Sequence, residues 1–88
     1  MRIWGKICKD SRILEDRVIE DHSDETRTHK VFRAMDEFCD IFDLAKPLWL
    51  NASVREFQEH AKVRFYQDHF MEPIEFDYFE IQVLEEDV

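Results

Sequence analysis

The chain of 88 residues has one glycine, two prolines and two cysteines, and no long apolar run. Each shortage excludes something. A single glycine, Gly5, leaves no material for the glycine-rich loops that cradle phosphates. Two prolines and one glycine also predict few tight loops and long regular elements. Two cysteines, Cys8 and Cys39, are too few for a disulfide scaffold and too far apart for a local metal knuckle. They are expected as free, partly buried thiols in a reducing cytoplasm, with a Cys8–Cys39 disulfide left open. No segment approaches transmembrane length, and MRIWGKICKD lacks the apolar stretch of a signal peptide. Lys and Arg are missing from the whole of residues 65–88, which hold eight carboxylates. All twelve cations lie within residues 1–64 beside 13 acids, so most of the net charge of −9 sits in the tail. An acidic end repels phosphate backbones and anionic lipid, which disfavours nucleic acid and membrane partners.

What is present is aromatic. Eight Phe, two Trp and two Tyr give a small chain a large buried area per residue. The length fits one domain spanning residues 1–88. Residues 2–9 and 12–19 read as a β-hairpin turning at Asp10-Ser11. A two-residue turn in regular register pairs Ile7 with Leu14 and Ile3 with Val18 on an apolar face. It pairs Lys6 with Glu15, and Trp4 with Arg17, on the other face. Gly5 marks a close approach or a bulge. Ser23 is the expected N-cap of a helix running to about Leu44, with Val31, Met35, Phe38 and Phe42 as its buried stripe and Pro47 as its terminator. PLWL (47–50) reads as a connector or edge strand. Ser53-Val54-Arg55-Glu56 fits a capping box and starts a second helix, expected to reach about Phe70. The last segment, 74–86, alternates as a strand. It places Phe79, Ile81 and Val83 on one face, and Phe76, Tyr78, Glu80, Gln82 and Leu84 on the other. The expected fold is α+β in the order β-β-α-(β)-α-β: a small antiparallel or mixed sheet, made of the N-terminal hairpin and C-terminal strand, with two helices on one face.

The segments MRIWGK, RTHKVF (27–32), KPLWL (46–50), RFYQD (64–68) and FDYFEIQVLEED (76–87) together resemble a family of short uncharacterised bacterial proteins, across nearly the whole chain. The resemblance implies a bacterial, cytoplasmic protein that stands alone. It supplies no functional residues.

Chemistry-bearing motifs are sparse. Ser11, Ser23 and Ser53 fall at a turn or at caps, where a serine already has a structural part. None of the four histidines lies in an HExxH or CxxC context. On a continuous helix His60 and His69 would point about 180° apart. No catalytic residue, cofactor or metal site is therefore assigned. A small metal-dependent enzyme using His60, Asp68 and His69 stands as an alternative, as does a nucleic-acid-associated protein using Lys62, Arg64 and Tyr66. Arg64 and Asp68 at i, i+4 suggest an ordinary surface ion pair. Glu75 and Asp77 read as a charged strand entrance that discourages edge pairing. The strongest functional signal is a sheet face richer in aromatics than solvent requires. Trp4, Arg17, Phe76 and Tyr78 are its candidate partner-binding residues. They point to a protein-interaction or self-association module, with a homodimer as one form.

Overall fold

A computed structural model describes residues 1–87. Its elements are β1 (Arg2–Lys9), β2 (Arg12–Glu20), α1 (Arg27–Phe42), α2 (Asn51–His60), β3 (Lys62–Phe65) and β4 (Tyr78–Glu85). The strands form one sheet in the order β2-β1-β4-β3, every neighbouring pair antiparallel. The α+β class, with both helices on one face, is as expected.

With one glycine available, the chain makes its left-handed turns from other residues: Asp10, Ser11, Asp43 and Ala61 all have positive φ. Asp10 and Ser11 make the two-residue hairpin turn, whose positive φ values match the twist of the flanking strands. Asp43 closes α1, its N–H donating to the Asp40 and Cys39 carbonyls. The helix thus ends at Phe42, five positions before Pro47. It also starts later than expected: Thr26 is the N-cap and accepts from the His29 N–H. Ser23 instead sits in a turn, its N–H donating to Asp21 Oδ1.

Two larger departures matter for function. The hairpin register is regular only as far as Cys8 opposite Ile13. A bulge then inserts Leu14, and Ile7 faces Glu15, Lys6 faces Asp16, Gly5 faces Arg17, Trp4 faces Val18 and Ile3 faces Ile19. One extra residue moves the remainder of β2 by one position and reverses which side chains face the core. Leu14 and Val18 are consequently exposed, and Ile19 packs on the core in place of Val18. Second, α2 stops at His60, because Ala61 takes a left-handed conformation and its N–H bonds back to Phe57 O. Residues 62–65 then run as β3, not as helix. Val63 and Phe65 face the core, while Lys62 and Arg64 face away. The helix expected to reach about Phe70 therefore gives way at Ala61 to a short strand of period two. PLWL forms no regular element, and the final strand begins at Tyr78, not Ile74.

The core lies between the sheet and the two helices. Phe38 and Phe42 of α1 pack edge-on against Phe79, and Trp49 meets Phe57 and Phe65 edge-on. Edge-to-face aromatic pairs contribute about 0.5–1.5 kcal/mol each beyond their burial. Gly5 allows α1 to approach: a Cβ there would lie 2.7 Å from three ring carbons of Phe38.

Candidate interaction face

Both helices pack on one side, which leaves the other side of the sheet uncovered by any helix. Strand parity places Trp4, Lys6 and Cys8 of β1 on this open face, with Tyr78, Glu80 and Gln82 of β4 and Lys62 and Arg64 of β3. Cross-strand pairing arranges them in rows. The middle row reads Asp16, Lys6, Glu80, Arg64 across the four strands, alternating in sign. Glu80 is only 1% exposed, and both neighbours hold it. Lys6 Nζ lies 2.9 Å from one carboxylate oxygen and Arg64 Nε 2.7 Å from the other. Burial pushes the Glu80 pKa up, but hydrogen bonds from Arg64 and Lys6 outweigh that, and the net shift is downward. The hydrogen bond to Glu80 likewise raises the Arg64 pKa.

Each flanking row carries an aromatic ring, and the same cations cover these rings. Lys6 Nζ sits 4.1 Å from the centre of the Trp4 ring, and the Arg64 guanidinium 4.4 Å from that of Tyr78. Each such contact contributes about 0.5–1 kcal/mol near solvent. The Trp4 indole N–H donates to Asp16 Oδ2 at 2.9 Å. Tyr66, following β3, lies 5.8 Å from Tyr78 ring to ring and is 45% exposed. The face is a mosaic: a buried carboxylate at its centre, cations lying over aromatic rings, and exposed Ile13, Val18 and Tyr66 towards its margins.

The candidate residues divide accordingly. Trp4 and Tyr78 are on the open face. Arg17 is not opposite Trp4: the bulge puts it opposite Gly5, on the helix side, at the outer strand. Phe76 precedes β4 and leaves the strand parity. Its ring meets Phe70 edge-on and packs against the core. The structure therefore does not gather the four residues on one surface. Instead it brings Lys62, Arg64 and Tyr66 to the same face as Trp4 and Tyr78. Sequence reasoning places Lys6 and Glu80 on this face but misses that they pair with each other at its centre. Their signal was present as a charge in each of two apolar strands, but it becomes readable only when β1 is known to lie beside β4.

The histidine alternative is not assembled. His60 is exposed at the end of α2, its nearest acidic contact Glu59 at 3.7 Å. Among the described residues no group of three or more His, Cys, Asp or Glu side chains is placed to hold a metal ion. His69 is buried, with Nδ1 accepting from the Tyr66 N–H at 3.0 Å and Nε2 lying 3.1 Å from Ser53 Oγ. Asp68 Oδ1 is also 3.0 Å from Nδ1, so serine, histidine and aspartate stand in line. Ser53 is nevertheless buried, and its hydroxyl accepts from the Leu50 N–H. Nδ1 is already engaged by the Tyr66 N–H, and Ser53 is closed off from solvent, so the trio does not present an accessible nucleophile. The cluster ties α2 to the segment after β3. Arg64 does not pair with Asp68, because its partner is Glu80.

On the helix side, a cleft of about 610 Å³ opens beyond the end of α1. Its floor includes Ile7, Phe42, Phe70 and Phe76, and its rim carries Glu15, Asp43, Glu72 and Glu75. Cys8 and Cys39 are both free and buried. They lie on opposite sides of the sheet, Cys8 on the open face and Cys39 on the core-facing side of α1. Burial first, and then Asp36, pushes the Cys39 thiol pKa up to about 11. No helix is long and apolar enough to cross a membrane among the described residues.

No protein-family model, curated protein or solved structure matches the chain.

Proposed function

We propose that this chain is a protein-interaction module that contacts its partner through the open face of the sheet. The observation that carries this reading is a broad surface, free of helix cover, on which Trp4, Tyr66 and Tyr78 stand beside Lys6 and Arg64. Aromatic residues and arginine are the side chains most often found as anchors of protein interfaces. The geometry adds pre-organisation: ion pairs and ring contacts already fix the cations, so binding freezes few rotamers. The partner face complementary to this surface is flat, with carboxylates placed to meet Lys62 and Arg64. We assign the chain no catalytic step.

The test is affinity capture from a bacterial lysate with three baits: wild type, Tyr66→Ala and Phe32→Ala. Phe32 is exposed on α1, on the far side of the molecule. A partner retained by wild type and Phe32→Ala but lost by Tyr66→Ala supports the reading, provided both variants melt like wild type. Loss with Phe32→Ala alone moves the interface to the helix side and overturns it. Lys62, Arg64 and Tyr66 on one face also match the basic-aromatic pattern that grips single-stranded nucleic acid. Binding of a labelled oligonucleotide that weakens steeply with salt replaces the protein reading with that one.

A further inference from the structure

The two edges of the sheet are treated differently. At the β3 edge, Glu56 of α2 reaches across and its carboxylate accepts from the Arg64 N–H. The β2 edge has no such cover: eight of its nine residues are exposed, including Ile13, Leu14 and Val18. Which backbone groups point outwards follows from the doubly bonded pair between Met1 and Asp21, at 2.9 and 3.0 Å. Counting back from Asp21, the amides and carbonyls of Ile19, Arg17 and Glu15 face β1. Those of Glu20, Val18 and Asp16 face outwards.

We propose that this edge pairs antiparallel with β2 of a second copy, about a twofold axis at Asp16, joining two four-stranded sheets into one. An exposed edge strand is a template for another strand, and a second copy presents the same edge. The side chains are self-complementary in this register. Glu15 meets Arg17 of the second copy, and Arg17 meets its Glu15, both pairs on the helix side. Neither residue has an ion-pair partner among the described residues of its own chain. Because Leu14 is the extra residue of the bulge, the next outward-turned position is Ile13, which meets Val18 of the second copy on the open face. This accounts for two exposed aliphatics that the monomer leaves in water. One like-charge contact remains, Asp16 across the axis from itself. It is eased because each Asp16 carboxylate leans towards β1 to accept from Trp4. The inference uses the strand edge and does not rest on the open-face reading.

The test is a charge swap followed by analytical ultracentrifugation. Wild type should form a dimer in a concentration-dependent equilibrium. Glu15→Arg and Arg17→Glu each replace two attractive cross-strand pairs by two repulsive ones, and each should weaken the dimer about tenfold or more. The double variant restores both pairs with reversed polarity and should return to near the wild-type affinity. Both side chains are exposed, so melting at low concentration should change little and separates lost pairing from lost folding. Amide exchange gives the backbone readout: the Val18 and Asp16 N–H groups should gain protection as concentration rises. A wild type that stays monomeric throughout overturns the proposal. So does a dimer indifferent to both single reversals, or a double variant no better than the singles. In the last two cases, loss of that dimer with Tyr66→Ala would assign it to the open face instead.

Discussion

On one side of β4, Phe79, Ile81 and Val83 lie under Phe38, Phe42 and the rest of the helix layer, and only packing holds them. On the other side, Tyr78, Glu80 and Gln82 face no helix, yet Glu80 is as inaccessible as the phenylalanines behind it. The first face removes apolar area from water. The second buries a charge by surrounding it with the stems and heads of two cations, which in turn rest on aromatic rings. A sheet without a second helix layer thus builds its own cover from long side chains. The same arrangement keeps the Glu80 carboxylate away from solvent at the centre of the open face.

Substitutions on the two faces of β4 should differ in their cost. The largest effects belong to the helix face. Phe79→Ala leaves a cavity beneath two phenylalanine rings and should destabilise by about 4 kcal/mol in urea unfolding. Gly5→Ala drives a methyl group into the Phe38 ring and should cost about 3 kcal/mol, since backbone and helix must both shift. If Gly5→Ala melted like wild type, α1 would not lie where it is described. On the open face, Glu80→Gln removes the charge that both Lys6 and Arg64 neutralise. An expected loss of about 2 kcal/mol reflects two cations that keep partial access to water.

Acid provides a reagent-free version of the same test. The pKa values of Glu80 and Asp87 are lowered on folding, so their stabilisation is full above their ordinary values of 4.5 and 3.8 and is lost as pH falls through the folded values. Wild-type stability should therefore decline below about pH 4.5. The Glu80→Gln variant should show a shallower decline, in which the Asp87 share disappears as pH approaches about 2. Identical slopes for the two proteins would mean that Glu80 is not held as charged. The smallest effect is expected at the margin: Tyr66→Ala should change fold stability by only about 0.5 kcal/mol, which is what makes it a clean probe of binding.

Much of the helix face was legible because periodicity reports burial. The α1 stripe of Val31, Met35, Phe38 and Phe42, the alternation of Phe79, Ile81 and Val83, and the Asp10-Ser11 turn all have one-dimensional signatures. The open face was less legible for physical reasons. Its composition depends on strand order, and nothing local to Lys6 or Glu80 says that they are neighbours. The bulge at Leu14 has no glycine to announce it, so Arg17 was expected beside Trp4. Ala61 adopts a left-handed conformation that alanine seldom takes. The helix was therefore carried through a strand whose four residues offer only two alternations. Phe76 illustrates the remaining limit: parity was extended across a segment that is not strand, and the ring turns into the core instead. The period-two run Lys62-Val63-Arg64-Phe65-Tyr66 was the available sign of β3.

The strand order also bears on how the protein is made. Among the described residues, β4 joins the N-terminal hairpin to β3 in the sheet, and it comes late in the sequence. While residues 1–77 are leaving the ribosome, Ile3 and Ile7 have a hairpin partner but no sheet, and Val63 and Phe65 have neither. Closure waits for the arrival of Tyr78–Glu85, and the β1–β4 pairing it completes spans most of the chain, a contact of the long-range kind that slows folding. Until then, the uncovered β2 strand and the unpaired flank of β1 are both free to meet other nascent copies, which makes the interval just before β4 emerges the one in which aggregation competes most strongly with folding.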